Sequence, residues 1–493
     1  MADVPRYRFG PLERRGVLLG LRPAQLAIAA AAIVAAVATL SAAPNATGLL
    51  ISAMTALVAA TLAFVPVSGR TLEQWAPLAF RWALRGHKKV TTAQARRGAL
   101  AGATAPVAEQ PLWPPALKGI ELLAVASPSG DIGVLKDKSA GTYTALLSVR
   151  AKTFSLLDGP DKARRLASWA GILAGSARAG GLVHRLQWLE RTVPDPGTEL
   201  AAHLASQAQP SEDAAVASYR ELLADAGPVT QRHEVLVALQ LSAARAQRHV
   251  KTAGGGDRGA GEVLRRELAT LATRLQSAEL NVAGALTPRL VAQCIRTSFD
   301  PPSRLALERR PAPPQGPGVA PHTAAPVATD EHWSHLAADG SLHATYWIAE
   351  WPRVDVDADF LAPLLLRTSA LRTVSLTLEP VSPLKAMRQV ESARTQALVD
   401  EHLRERAGFL ATARRARETE SLAEHESDLA RGHAFFRFSG FVTVHATDAE
   451  ELRRDCGELE QAAAQSFLDL RLLYGQQADA FTWGALPLCR GLA

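Results

Sequence analysis

The sequence predicts an α+β protein that begins with a two-helix transmembrane hairpin and continues into two α+β units with long helices. Residues 23–69, a run of 47 positions, contain no Asp, Glu, Lys or Arg. Hydrophobic residues make up 47% of the 493-residue chain, which is enough to build globular cores. After the uncharged run, strand-length and helix-length patterns alternate twice along the chain.

The uncharged run has room for two membrane-crossing helices, since each needs about 20 apolar residues. Pro44 and Gly48 interrupt it, which predicts spans over Ala24–Ala43 and Thr47–Val67. Small residues recur at i, i+4 spacing in both spans and favour close packing of helices in lipid, although an alanine-rich first span also has such a stripe by chance. The predicted packing residues are Ala27, Ala31 and Ala35 in the first span and Gly48, Ser52, Ala56 and Ala60 in the second.

The excess positive charge lies entirely around this hairpin. Residues 1–100 hold 12 basic and 3 acidic residues, a net charge of +9, whereas the rest of the chain holds 42 basic and 45 acidic residues, a net charge of −3. By the positive-inside rule we expect a multi-pass protein of the bacterial plasma (inner) membrane with both termini in the cytoplasm. A cleaved signal peptide before a secreted domain is the alternative, but a signal peptide has one short apolar region. The acidic balance of the remainder argues against direct binding of nucleic acid.

The stretch that follows the second span combines tryptophans with basic residues. Such a mixture predicts a short helix at the cytoplasmic membrane surface, in contact with the lipid bilayer. A helix packed on the next domain is the alternative interpretation. The predicted membrane-interface residues are Arg14, Arg15, Arg22, Arg70, Trp75, Arg81, Trp82, Arg85, Lys88 and Lys89.

Composition predicts five segments. They are residues 1–98 (hairpin, basic flanks and interfacial helix), 99–117 (linker), 118–309 (first α+β unit), 310–329 (Pro-rich linker) and 330–493 (second α+β unit). In the second unit we predict strands over His343–Trp351, Leu371–Glu379 and Ala434–Ala446, a helix over Asp357–Ser369, and a helix that starts at a capping box formed by Thr447 and Glu450 and ends near Leu472. This order is typical of a ferredoxin-like unit, and we interpret the first unit in the same way.

No catalytic motif accompanies these elements. The phosphate loop, the H-E-x-x-H pattern and the G-x-S-x-G pattern are all missing from the sequence. We interpret His332 and His335 as part of a solvated turn and not as a metal pair. Cys294, Cys456 and Cys489 are widely spaced and odd in number, which predicts free thiols. We therefore expect neither an enzyme nor a bound cofactor or metal.

Several blocks resemble known secretion proteins. Tyr7–Gly16, the hairpin and Gly69–Trp75 resemble the PrgI-type membrane proteins of actinobacterial conjugation-like gene clusters and the hairpin subunit of type IV secretion systems. The blocks Ala140–Val149, Tyr346–Pro352, Ala434–Ala446 and Leu486–Leu488 resemble the N-terminal, non-motor region of secretion ATPases of the CagE/TrbE/TraC type.

This resemblance implies a structural inner-membrane component of a type IV secretion or conjugation-like apparatus for DNA transfer. No position corresponds to the motor's phosphate-loop and magnesium-binding residues, so it implies that a separate RecA-type ATPase docks on this chain. Other secretion-channel subunits and copies of the same chain are the further expected partners.

Two alternative hypotheses remain open. One is a type VII secretion subunit of the EccE type, which also has an N-terminal hairpin and a cytosolic domain. The other is a membrane-tethered enzyme whose site the sequence does not reveal.

Overall fold

The computed structural model describes residues 9, 22–67, 70–85, 90–91, 111–150, 154, 156–178, 180–195, 214–218, 221, 231–310, 313–406, 426–429 and 431–492. The chain divides into two compact units. The α+β unit comprises Met1–Phe9, Lys89–Val390 and Glu424–Ala493, and the hairpin unit comprises Gly10–Lys88 and Glu391–Ala423.

The hairpin unit contains the two predicted apolar helices. Helix α1 covers Pro23–Ala42 and helix α2 covers Ala46–Phe64, and both are long and apolar enough to cross a membrane. Two short strands, β1 (Pro66–Val67) and β2 (Arg70–Thr71), pair with each other after α2. Helix α3 (Leu72–Arg85) follows directly.

The first half of the α+β unit follows a strand, helix, strand, strand, helix, strand order. After β3 (Val90–Thr91), β4 (Ile120–Val125) and β5 (Ile132–Asp137), the elements are β6 (Thr142–Arg150), α4 (Gly159–Ser176), β7 (Val183–Pro194), β8 (Gln231–Ser242), α5 (Gln247–Thr252), α6 (Gly256–Ser277), β9 (Asn281–Ala285), α7 (Pro288–Phe299) and α8 (Ser303–Glu308). Strands β6 to β9 are arranged in the spatial order β9-β6-β8-β7 with antiparallel neighbours. This is a ferredoxin-like arrangement.

The second half repeats that plan. Its elements are β10 (Ala328–Glu331), β11 (Leu336–Ala338), β12 (Ser341–Glu350), α9 (Ala362–Leu366), β13 (Leu371–Val381), β14 (Phe435–Ala446), α11 (Ala449–Gln465), β15 (Asp469–Leu472) and α12 (Gln477–Gly484). Helix α10 (Pro383–Arg406) lies between β13 and β14 in the chain, and from Glu391 onward it belongs to the hairpin unit. The spatial order β15-β12-β14-β13 matches that of the first half, strand for strand. The predicted α+β class with a duplicated ferredoxin-like layout is therefore confirmed.

The two halves share one sheet. Strand β7 pairs with β13 in antiparallel register, with Leu189 opposite Ser375 and Trp188 opposite Leu376. This pairing completes a 13-stranded sheet among the described residues, with β4 at one end and β3 at the other. The predicted division at residues 310–329 stays a prediction, because both halves also contribute to a common hydrophobic core.

Different helices pack on the two faces of the sheet, and successive side chains of a strand point to opposite faces. In β6, Leu146 belongs to the core on the side of α7, whereas Ala145 and Leu147 belong to the core on the side of α6. On the α7 side, Phe299 and Phe481 of α12 pack with ring centroids 4.7 Å apart. Period-2 burial of this kind is the signature of a strand that is covered on both faces.

Three predictions about local structure were wrong in detail. The N-cap of α11 is Asp448, which accepts from the backbone N–H groups of Glu450 and Glu451, so the predicted capping box is displaced by one residue from Thr447. Helix α11 ends at Gln465 and not near Leu472, because Phe467 adopts a positive φ and the chain then forms β15. The predicted helix over Asp357–Ser369 shrinks to the single turn of α9.

A pair of buried histidines links neighbouring strands of the second half. His343 and His445 lie opposite each other on β12 and β14, with their Nδ1 atoms 2.8 Å apart. His343 Nε2 lies 2.9 Å from the Phe299 carbonyl oxygen, so it carries a hydrogen and its Nδ1 is the acceptor. His445 Nδ1 is then the donor, and its Nε2 accepts from the Thr373 hydroxyl at 2.9 Å. Every ring nitrogen is satisfied when both imidazoles are neutral.

Acid should therefore destabilise this protein through the histidine pair. Burial lowers the pKa of His343 from 6.5 to about 4, and burial and His343 lower the pKa of His445. The unfolded chain takes up protons first as the pH falls below about 6.5, so the free energy of unfolding should decrease by about 1.4 kcal/mol per pH unit for each histidine. The decrease for His343 should level off near pH 4.

The measurement is urea unfolding of the full chain in detergent at several pH values between 7 and 4. His343→Gln should flatten the pH dependence, and the exposed His249→Gln should leave it unchanged. Equal slopes for the wild-type chain and His343→Gln would contradict the assignment.

Candidate functional site

The turn of the hairpin is held by one side chain and by one glycine. Asn45 is the N-cap of α2, and its Oδ1 accepts from Gly48 N–H at 2.9 Å. A Cβ atom at Gly48 would lie 1.9 Å from the carbonyl oxygen of Ala43. The close approach of α1 and α2 at the turn therefore requires glycine at this position.

Hydroxyl groups connect the two helices nearer their middle. Thr39 Oγ1 and Ser52 Oγ lie 2.5 Å apart, and both are within hydrogen-bonding distance of the Ala36 carbonyl oxygen. Ser41, Thr55 and Thr61 each donate instead to a carbonyl oxygen four residues earlier in the same helix. Such internal partners are what hydroxyl groups need in a hydrocarbon environment.

A polar clamp closes the base of the hairpin. Gln25 Nε2 donates to the Ala63 carbonyl oxygen of α2 at 2.8 Å, and its Oε1 accepts from the Arg22 N–H at 3.0 Å. Arg22 Nη1 lies 3.8 Å from Oε1 of Glu73, whose side chain is only 4% exposed. Three segments, the start of α1, the end of α2 and the start of α3, meet at this clamp.

The inner surface of the hairpin consists mainly of small side chains, and most large apolar side chains face outward. The residues that are at least half-buried include Ala29, Ala32, Ala35, Ala36 and Thr39 in α1 and Gly48, Ser52, Thr55, Ala59 and Ala63 in α2, with Leu26 and Ile28 as larger ones near the base. The exposed ones include Ile33, Val34, Val37 and Leu40 in α1 and Leu50, Ile51, Met54, Leu57 and Val58 in α2. A water-soluble helical pair has the opposite arrangement, so the outer surface of this hairpin suits lipid.

The predicted i, i+4 stripe coincides with this contact only near the turn. Gly48 and Ser52 are buried and Ala35 is partly buried. The other predicted packing residues, Ala27, Ala31, Ala56 and Ala60, are exposed. Residues at i, i+4 spacing rotate by about 40° per step around an α-helix, so such a series turns away from the partner helix after two steps. The observed contact residues are instead spaced by a mixture of three and four residues.

Helix α3 has two apolar faces. Trp75 and Trp82 are half-buried, whereas Phe80 is 64% and Leu84 is 71% exposed. On a helical wheel the exposed pair lies roughly 170° from the tryptophan pair, and Arg81 lies on the remaining polar side. Sequence reasoning missed Phe80 and Leu84, although their i, i+4 spacing was visible.

The remaining predicted interface residues divide between the described and undescribed parts of the chain. Arg22 participates in the clamp, and Arg70 begins the short strand before α3. Arg85 is the last residue of α3. Arg14, Arg15, Lys88 and Lys89 lie outside the described residues.

Two arginines that line a polar cleft in the α+β unit are held in ion pairs. The cleft measures about 550 Å³ and is lined by residues that include Asp137, Arg185 and Arg490. Arg490 Nη2 lies 2.6 Å from Asp137 Oδ2, and Arg185 Nε lies 3.0 Å from Glu379 Oε2. Burial opposes the ionisation of Asp137, but hydrogen bonds from Ser139 and Arg490 outweigh it and lower the pKa of Asp137. The Arg490–Asp137 pair fastens the C-terminal segment to β5, and Arg185 also donates to the Cys489 carbonyl oxygen at 3.2 Å.

The cysteine beside an arginine is not activated. Arg191 Nη1 lies 2.9 Å from Cys294 Sγ, a contact that would lower the pKa of an accessible thiol. Complete burial outweighs it and raises the pKa of Cys294. All three cysteines are free, as predicted.

No metal centre is found among the side chains that the structure describes: no three His, Cys, Asp or Glu side chains are placed together to hold an ion. His332 and His335 stack with ring centroids 4.4 Å apart in the connection between β10 and β11, and their interpretation as part of a solvated turn stays a prediction.

Part of the chain is similar to a known protein family. Residues 229–348 match the family described as EccE, a putative type VII ESX secretion system translocon. Over this segment the chain is similar to EccE. The segment begins just before β8, includes α6 and α7, and ends within β12, so it covers the later part of the first half and reaches the first strands of the second. No curated protein matches the chain.

A pair of cysteines at the hydroxyl contact tests the hairpin geometry. We expect Thr39→Cys/Ser52→Cys to form an intramolecular disulfide under mild oxidation in membranes, because the two Oγ atoms are 2.5 Å apart. Val37→Cys/Met54→Cys is the matched control, since both residues are exposed two positions away on the same two helices. Gel mobility and peptide mass spectrometry give the yield for each pair. Equal yields would show that α1 and α2 do not pack in this register.

Proposed function

We propose that this chain is a membrane-anchored structural component of a secretion apparatus, of the type VII kind to which EccE belongs. The main support is that one chain combines two features. It has a hairpin whose large apolar side chains face outward, and it has an α+β unit that is similar to EccE over residues 229–348. The hairpin anchors the chain, and the α+β unit presents a surface to other subunits of the apparatus.

The physical chemistry of the hairpin supports the membrane anchor. In α1 and α2, hydroxyls at Ser41, Thr55 and Thr61 are satisfied within their own helix, and large apolar side chains point outward. The exposed Phe80 and Leu84 of α3 extend the apolar surface beyond α2. Arg81 beside them complements anionic lipid headgroups at the bilayer surface.

The charge distribution supports a topology with both termini in the cytoplasm of a bacterial cell. A membrane-impermeant thiol reagent should label Thr47→Cys, next to the turn, in cells whose outer envelope layer has been made permeable and whose plasma membrane is intact. The same reagent should label Leu156→Cys, a highly exposed α+β position, only after the plasma membrane is lysed. Labelling of Leu156→Cys in unlysed cells would reverse the proposed orientation.

A docking role without catalysis agrees with the sequence motifs. The chain has no phosphate loop, so a motor ATPase that powers transport is a separate subunit in this proposal. Purified full-length chain should show no ATP turnover above that of an unrelated membrane protein of similar size. Robust turnover that one point substitution abolishes would favour the membrane-tethered enzyme instead.

A type IV secretion or conjugation-like component is the second candidate. Its support is the resemblance of Tyr7–Gly16 and Gly69–Trp75 to PrgI-type hairpin proteins, in a part of the chain that the EccE match does not reach. In that case a conjugation-type ATPase and channel subunits are the partners. Homo-oligomerisation is compatible with both candidates.

Crosslinking in native membranes followed by purification of the tagged chain distinguishes the two candidates. We expect small helical-hairpin substrates or type VII membrane subunits to be recovered, and an untagged strain provides the background. Recovery of a conjugation-type ATPase would favour the second candidate. Recovery of metabolic proteins alone would contradict both.

A further inference from the structure

A residue from the N-terminal end of the chain contacts an aromatic cluster of the α+β unit. The ring of Phe9 lies 5.2 Å from the ring of Trp351 and 5.4 Å from that of Phe360, measured between centroids. Trp351 also contacts Phe438 edge to face at 5.5 Å. We call Trp351, Phe360 and Phe438 the aromatic socket. Tilted and edge-to-face contacts at these distances are the favoured geometries for aromatic pairs.

Regular elements hold the socket in place. Trp351 follows the last residue of β12, Phe438 lies in β14 opposite Leu378, and Phe360 precedes α9. Trp351 and Phe360 also pack against the hydrophobic core beneath α11. A Cβ atom at Gly440 would lie 2.9 Å from the indole of Trp351, so glycine at this position leaves space for the Trp351 ring.

We propose that the aromatic socket is the docking site for the N-terminal segment of the same chain, with Phe9 as the anchoring side chain. Phe9 is half-buried there and precedes the hairpin, whose first helix begins at Pro23. On the other side of the hairpin, Val90 of β3 pairs with Thr329 of β10. The hairpin is thus followed and preceded by segments that are attached to the α+β unit.

The contact of Phe9 with the socket is suited to opening and re-forming. The Phe9 contact consists of two ring pairs, and its covalent connection to the unit makes rebinding intramolecular. The socket therefore functions as a reversible attachment for the segment that contains Phe9. This proposal does not depend on the secretion role.

Thiol crosslinking of the full chain in nanodiscs tests the occupant of the socket. In a Cys456→Ser background, where the remaining Cys294 and Cys489 are buried, Gly10→Cys/Asp359→Cys is treated with a short bismaleimide. These positions adjoin Phe9 and Phe360, so both rings of the contact are kept. We expect an intramolecular crosslink between the peptides that contain positions 10 and 359, identified by mass spectrometry. Gly10→Cys/Phe467→Cys is the matched control, because Phe467 is an exposed phenylalanine elsewhere in the same unit.

A crosslink in the control pair at equal yield, or in neither pair, would overturn the proposal. Crosslinked dimers of the first pair would show that a second copy supplies Phe9 and would overturn docking within one chain.

Hydrogen exchange provides a second measurement that needs no cysteine. Phe9→Ala should accelerate amide exchange around residues 351–361 by roughly tenfold, because the socket loses two ring contacts. Phe9→Trp should restore the wild-type rate, and Phe80→Ala should not change it. Unchanged exchange in Phe9→Ala would contradict the anchoring role.

Discussion

The antiparallel pairing of β7 with β13 is the interaction on which the α+β unit depends. Strand β7 is the edge strand of the first ferredoxin-like half, and β13 is the edge strand of the second. Without the pairing, each half would expose a long strand edge. Buried polar side chains make the joint specific: Gln187 Nε2 donates to Ser375 Oγ at 2.7 Å and to the Leu486 carbonyl oxygen at 3.1 Å. Gln187 Oε1 also accepts from Cys489 N–H at 2.8 Å. The joint therefore also positions the C-terminal segment.

The hairpin follows the opposite packing logic. In the α+β unit, large apolar side chains such as Leu189 and Phe299 are buried because water is the solvent. In the hairpin, Gly48, Ser52 and Ala63 are buried, and most of the valine, leucine and isoleucine side chains face outward. Close backbone approach and hydroxyl contacts replace hydrophobic burial as the source of association. One chain thus contains two packing regimes, each matched to its solvent.

The proposed anchoring and docking role uses both regimes. The segment that is similar to EccE runs from β8 to β12. It therefore includes parts of both halves but neither β7 nor β13, the two strands that join them. Helices α6 and α7 within it cover opposite faces of the sheet. Arg22, Gln25 and Glu73 hold α1, α2 and α3 together at the base of the hairpin. An arrangement of this kind is suited to holding other subunits in place.

The sequence by itself determined the elements whose causes are local. The absence of charge over residues 23–69 predicted both apolar helices, and the alternation of Phe436, Phe438, Val442 and Val444 predicted β14. Helix α7 was missed, although Thr287 and Pro288 mark its start and Val291 and Ile295 lie on one face. Tertiary structure decided which strand edges meet, which face of α1 packs on α2, and where Phe9 docks. These depend on contacts between residues far apart in the chain, and a periodic pattern specifies a face without specifying its partner.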